Sequence, residues 1–189
     1  SGNACYDAID KEKYRATKVI IDKNFYDQIL TVKPDICFNA LHGSFGEDGT
    51  IQSILNKIKM PYTHSGANAS TIAMNKLLTK NYLSQFFKNT EDQIIFPKTF
   101  DLKSLKQYEK FLPLVLKPIS GGSYVDINIL NNDADLNNVE VRIFSNKFIV
   151  EPLVGNRELT VSVLENKPLV VTEIISKKNF FYDYNSKYS

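Results

Sequence analysis

Tryptophan is absent from this 189-residue sequence, and cysteine, methionine and histidine occur twice each. Cys5 and Cys37 are far apart and form no CxxC pair, which argues against a disulfide framework or a thiolate metal site. Cys37 lies in the apolar run Ile36-Cys37-Phe38 and reads as a small core side chain. His42 has Glu47 and Asp48 nearby, but the three lack zinc-ligand spacing. No G-x-S-x-G elbow is present, which disfavours a nucleophilic hydrolase. No apolar run approaches a membrane span. The opening SGNACYDAIDKEKYR lacks the basic start and apolar core of a signal peptide, so the expectation is a cytoplasmic protein. Charge is nearly balanced, with 23 basic and 21 acidic residues, and no dense Lys/Arg cluster marks a nucleic-acid surface.

What is present is an alternation of strand-like and helix-like stretches. Thr17 to Asp22 is a short β-branched run, Phe25 to Val32 a short helix ended by Pro34, and Asp35 to Asn39 a second strand. The strand empties into ALHGSFGEDG, where Gly43, Gly46 and Gly49 space a loop. A helical face then resumes at Ile51, Ile54, Leu55 and Ile58. With a further short strand at 60–63, this order predicts a parallel α/β layer. Beyond Gly66 the texture changes. A single helix is expected over Ser70 to Phe87, an edge strand over Phe96 to Phe100 and a short surface helix over Leu102 to Phe111. Strands are expected at Pro113 to Pro118, at Val125 to Ile129 and at Lys147 to Leu153. The polar NNDADLNN (131–138) reads as a loop or a poorly ordered stretch, and Glu158 to Leu164 pairs with Leu169 to Ile175 as an antiparallel hairpin. The expected divisions are 1–65, 66–151 and 152–189.

Several residues carry possible chemistry. The glycine-rich turn before a helix presents backbone N–H groups and a positive helix end, which suits an anion, with His42 as a proton handler or simply a loop residue. Lys117, ending an apolar strand, must find an anion or reach water. Gly121-Gly122-Ser123 follows it and makes either a flap over phosphates or an ordinary hairpin turn. Glu151 and Glu158 flank a turn, where carboxylates accept hydrogen bonds from a nucleotide or from water.

In combination these pieces are more specific. HGSFGEDGTIQSIL (42–55), PYTHSGANASTIAMNKLLTK (61–80), LPLVLKPISGGS (112–123), FIVEPLVGNRELTV (148–161) and FYDYNSKY (181–188) occur in that order. The sequence thereby resembles the D-alanine–D-alanine ligases, ATP-grasp enzymes of bacterial cell-wall synthesis. The resemblance implies an α/β and α+β fold, a Rossmann-like N-terminal domain followed by two domains that clasp ATP. It implies that Lys76 and Lys117 reach the nucleotide, that Gly121, Gly122 and Ser123 form the flap, and that Ser123 also organises the substrate end. Glu151 matches the hinge acid at the adenine, Leu153 and Val154 the positions facing the base, and Glu158 the ribose acid. The resemblance likewise implies that Phe181 belongs to the ATP site, that Lys187 stands near the γ-phosphate and that Tyr188 joins the serine network. His42 matches the histidine that lines the D-alanine site, with Glu47 orienting it, so the resemblance makes the 40–49 loop a substrate wall rather than an ATP cradle.

The implied reaction is activation of one D-alanine as an acyl phosphate and its capture by the amine of a second. Tyr188 favours D-alanine over D-lactate, because lactate-using relatives carry a histidine pattern there. ATP, Mg2+ or Mn2+, D-alanine and a second copy of the chain are the implied cofactors and partners, with neither nucleic acid nor membrane. The family's opening GGxSxE-type loop, its metal-binding acid and asparagine and its substrate arginine are expected outside residues 1–189. The flap runs Ser123-Tyr124-Val125-Asp126 where Ser-Ser-Val-Gly is usual, and His64 replaces a small residue. A catalytically inactive nucleotide-binding fragment and another ATP-grasp carboxylate–amine ligase are the alternative readings.

Overall fold

The computed structural model describes residues 2–89, 94–122, 126–139, 147–155 and 157–175. The chain divides into two compact units, Ser1–Thr79 and Lys80–Ser189.

In the first unit, helices α1 (Gly2–Ala8), α2 (Phe25–Val32), α3 (Thr50–Lys57) and α4 (Ala67–Met74) succeed one another. Ile29 of α2 packs against Ile51 and Leu55 of α3, the apolar spacing expected of that helix, with Val19, Ile21, Phe25, Cys37 and Tyr62 around them. The expected parallel layer is reduced to one point, a parallel bridge between Cys37 and Tyr62. Cys37 N donates to the Pro61 carbonyl at 2.8 Å, and Thr63 N to the Cys37 carbonyl at 3.0 Å. Thr17 to Asp22 forms no strand. Val19 and Ile21 do turn inward while Ile20 is exposed, so the alternation of a strand is present. A strand also needs a hydrogen-bonded neighbour, and among the described residues this segment has none.

The long helix expected over Ser70 to Phe87 is two helices, α4 and α5 (Lys76–Phe86), broken at Asn75. Asn75 leaves the helical region at φ −101° and ψ 109°, and its Oδ1 accepts from Leu77 N and Leu78 N, both at 3.0 Å. Asparagine competes with the helix ladder in this way because its short side chain reaches the next turn's N–H groups. Lys76 is therefore the first residue of a new helix.

The second unit is built on a three-stranded antiparallel sheet with β1 (Leu114–Pro118) between β2 (Asn128–Leu130) and β3 (Phe148–Pro152). Leu114, Leu116 and Val150 face a core completed by Phe100, Leu102, Leu105, Leu130 and Leu136. Three sequence expectations change here. The edge strand at 96–100 contracts to a single bridge between Phe100 and Val150. The helix at Leu102–Phe111 is a 3-10 helix whose Leu102 and Leu105 are buried, so it is a core element and not a surface one. Residues 131–138 include a helix, α6 (Asp133–Asn138): Asn132 Oδ1 accepts from Asp135 N at 3.0 Å, and Asp135 Oδ2 accepts from Asn131 N at 2.7 Å. That reciprocal cap organises the start of the turn, and Leu136 anchors it in the core. β4 (Glu158–Leu164) and β5 (Lys167–Ile174) pair as expected, around the two positive-φ residues Glu165 and Asn166 that a two-residue hairpin turn requires. Among the described residues no helix is long and apolar enough to cross a membrane.

Gly49 sits at φ +93°, and a Cβ there would lie 2.3 Å from Thr71 Oγ1 and 2.6 Å from the Ala67 carbonyl oxygen. Gly43, at φ +71°, has open space around it. In urea denaturation of the intact protein, Gly43→Ala should cost about 1 kcal/mol of strain, and Gly49→Ala roughly 3 kcal/mol or more because α4 must also shift. Equal losses at the two positions would contradict the close approach.

Candidate functional site

The pleat of the second unit places its charged residues. Val115 pairs with Glu151, Leu116 with Val150 and Lys117 with Ile149. Successive side chains alternate faces, so Leu116 and Val150 go to the core while Lys117 and Glu151 share the other face as diagonal neighbours. Lys117 Nζ lies 2.7 Å from Glu151 Oε2. Lys80, in α5, approaches the other oxygen, with Nζ 2.5 Å from Glu151 Oε1. Thr99 Oγ1 donates to the same Oε1 at 2.8 Å and accepts from Lys80 at 2.8 Å, and Lys80 also donates to the Pro97 carbonyl.

Glu151 is only 2% exposed. Burial pushes its carboxyl up. The hydrogen bonds from Lys117 and Lys80, the charge of Lys117 and the Thr99 hydroxyl outweigh that, and hold the group below its ordinary value of 4.5. It is an ionised carboxylate shared by two ammoniums. The two lysines differ in what remains to them. Lys80 has three donors and three protein acceptors, so it is saturated. Among the described residues Lys117 has Glu151 as its partner, which leaves two donors directed elsewhere.

The other residues expected at a nucleotide are placed as follows. Leu153 follows β3 and its N–H donates to the Pro113 carbonyl at 2.9 Å. Val154 is exposed, and Glu158 is half-buried at the start of β4. Gly121 and Gly122 are exposed, with Gly121 at φ +124°. Ser123, Tyr124, Val125, Phe181, Lys187 and Tyr188 lie outside the described residues. Lys76 is half-buried at the first position of α5, in the first unit. Lys80 and Thr99 did not stand out from the sequence as site residues. The available signal was the four-residue spacing of Lys76 and Lys80, which puts both on one helical face.

In the first unit, the 40–49 loop is held by its own acids. Glu47 Oε2 accepts from Gly43 N at 2.6 Å, and Asp48 accepts from Phe45 N and Thr50 N, each at 2.9 Å. The Phe45 N–H is the main cause that holds the Asp48 carboxyl below its ordinary value. Asn39 Nδ2 and Gln52 Nε2 both donate to the Gly46 carbonyl at 2.8 Å, and Thr71 Oγ1 donates to the Asp48 carbonyl at 2.9 Å. The N–H groups that made the loop look like an anion cradle are thus occupied by internal carboxylates. His42 stays exposed, with Nδ1 3.8 Å from Glu47 Oε1, an electrostatic rather than a hydrogen-bonding distance. His64 takes φ +76° and its Nδ1 is 2.7 Å from Thr63 Oγ1. Among the described residues no group of three or more His, Cys, Asp or Glu side chains could hold a metal ion.

Comparison with known proteins gives a consistent result. Residues 26–65 match the family model described as D-ala D-ala ligase N-terminus, and residues 69–189 match D-ala D-ala ligase C-terminus. A D-alanine–D-alanine ligase of Bartonella henselae is 37% identical over 193 aligned residues, covering all of this chain and 62% of the relative. One from Pelagibacter ubique is 42% identical over 184, covering 91% of this chain and 58% of the relative. The chain therefore spans about three-fifths of the length of the curated relatives it matches. Among solved structures, the Bacillus anthracis D-alanine–D-alanine ligase complexed with ATP aligns at a TM-score of 0.73 and 30% identity, covering 95% of this chain and 61% of that one.

The Glu151 carboxylate gives a signed pH dependence. Its folded pKa is depressed, so its contribution to stability is complete above about pH 4.5 and is lost as pH falls through the lower folded value. Glu151→Gln should cost roughly 3 kcal/mol at neutral pH by leaving two ammoniums without their anion. Measured by urea denaturation, that gap should close as the pH falls below 4.5. A gap that stays constant to pH 3 would contradict an ionised Glu151.

Proposed function

This chain belongs to the D-alanine–D-alanine ligase family, and from that premise we propose that the intact protein joins two D-alanines at the expense of ATP for peptidoglycan synthesis. The observation that carries the reading is the Lys117–Glu151 pair, in which a lysine is held at the end of a strand with donors to spare. In a phosphoryl transfer, positioning and charge neutralisation supply the catalysis, because little covalent chemistry falls to the protein. Lys117, joined by Lys76 and Lys187, would neutralise the phosphoryl group as a D-alanine carboxylate attacks the γ-phosphate. The amine of a second D-alanine would then displace phosphate from the acyl phosphate.

In this reading Glu151, Leu153, Val154, Glu158 and Phe181 hold the base and ribose. Gly121, Gly122 and Ser123 cover the phosphates, and Ser123, Tyr188 and Lys187 organise the reacting end. His42 and Glu47 line the D-alanine side. The use of Glu47 and Asp48 as internal loop anchors supports that assignment, since the loop then offers a shaped wall rather than free N–H groups. The described residues do not by themselves fit Mg2+ or Mn2+. D-alanine, ATP and a second copy of the chain, in the cytoplasm, complete the proposal.

Phosphate release from ATP by the intact protein should depend on D-alanine and not respond to L-alanine. Lys117→Met should lower kcat/KM by about 100-fold or more while the protein remains folded by circular dichroism. Equal stimulation by L-alanine would overturn the substrate, and undiminished turnover in Lys117→Met would overturn the site. Phosphate release with no dipeptide formed would favour a nucleotide-binding module over a ligase.

A further inference from the structure

Three side chains at the proposed nucleotide site form a closed ring, of which the ligation reading uses only Glu151. Lys80 Nζ donates to Thr99 Oγ1, Thr99 Oγ1 donates to Glu151 Oε1, and Lys80 Nζ contacts the same Oε1. The third Lys80 donor goes to the Pro97 carbonyl. A carboxylate offers about four acceptor positions. Lys80 and Thr99 take two on Oε1, and Lys117 takes one on Oε2.

We infer that Lys80 is a positioning residue for ATP: it neutralises and orients Glu151 so that the charge of Lys117 remains available to a phosphate. The inference rests on the reading of Lys117 as a nucleotide lysine. Two ammoniums against one carboxylate leave this cluster with one net positive charge, and because the three Lys80 donors are all taken, the donors still available are those of Lys117. Without Lys80, the negative charge of Glu151 would be matched by Lys117 alone. The same lysine would then have to serve a carboxylate and a phosphate together. Thr99 supports the arrangement by filling the second position on Oε1, which keeps the carboxylate plane fixed and Oε2 directed at Lys117.

Packing and charge make different forecasts for Lys80. A purely structural lysine would, when replaced, lower stability and the amount of active protein without selecting one substrate. A charge-compensating lysine changes ATP recognition specifically. The test uses the intact protein with Lys80→Met, Lys80→Arg and Thr99→Val, each checked for folding by circular dichroism. The Kd for ATP is measured by calorimetry, and steady-state constants are measured for both substrates. Lys80→Met should raise the KM and Kd for ATP about tenfold or more, a loss of the size expected when a charged hydrogen-bond partner is removed. The KM for D-alanine should stay within about twofold, and ATP affinity should become less sensitive to salt because the net charge is gone. Lys80→Arg keeps the charge with a different donor geometry and should recover most of the ATP affinity. Thr99→Val should fall between Lys80→Met and the parent.

ATP affinity unchanged in folded Lys80→Met overturns the inference, as does an equal rise in both KM values. Should Lys80→Met not fold, Lys80→Arg decides: a tenfold loss of ATP affinity in that folded variant contradicts charge compensation, and near-parent affinity supports it. Failure of the unsubstituted protein to bind ATP would instead remove the nucleotide reading itself, which separates the two outcomes.

Discussion

A carboxylate buried between two ammoniums is the constraint on which the second unit depends. An isolated buried charge costs several kcal/mol, and it persists only where its partners are placed well. Glu151 meets that condition through Lys80, Thr99 and Lys117. The requirement reaches back into topology. The register that sets Glu151 opposite Val115 and Lys117 opposite Ile149 puts both charges on one face. A slip of one residue would turn Glu151 toward Leu102 and Leu105 and expose Val150. The ion pairs and the apolar core therefore select the same pairing, and neither alone is asked to specify it.

Acids organise the first unit as well, in a different manner. Glu47 and Asp48 sit in a glycine-rich turn before a helix, where bound anions are often found. They fold back onto Gly43, Phe45 and Thr50 and supply the negative charge internally. The turn is stiffened further where Asn39 and Gln52 converge on one carbonyl and where Gly49 meets Thr71. What the loop then presents outward is His42. In the proposed ligation, geometry and charge would matter more than covalent catalysis.

The elements most legible in the sequence were those whose signal is local. The β4–β5 hairpin, the core strands β1 and β3 and the apolar face of α3 follow from periodicity and turn residues. Thr17 to Asp22 has the alternation of a strand, but a ladder depends on a neighbour that alternation does not reveal. Asn75 was hidden inside an apolar repeat, because a cap that interrupts a helix looks like one more polar position. The polar 131–138 segment concealed a reciprocal cap, with Leu136 as its sole buried anchor. At the site, Lys117 and Glu151 stood out singly, as a lysine ending one strand and an acid within another. Their contact depends on the register between β1 and β3, and the parts played by Lys80 and Thr99 depend on where α5 and the 96–100 segment meet that sheet. Those are tertiary facts with no local spacing.

The central claim is that Glu151 is the shared anion of the cluster, and a double-mutant cycle tests it most directly. Lys117→Met, Glu151→Gln and the double variant of the intact protein would be compared with the parent by urea denaturation at neutral pH. The double variant should be less destabilised than the sum of the single variants by roughly 2 kcal/mol, because the Lys117–Glu151 attraction is lost in each single variant and so is counted twice in their sum. Additivity to within about 0.3 kcal/mol would mean that the two groups are energetically independent, and would contradict the account.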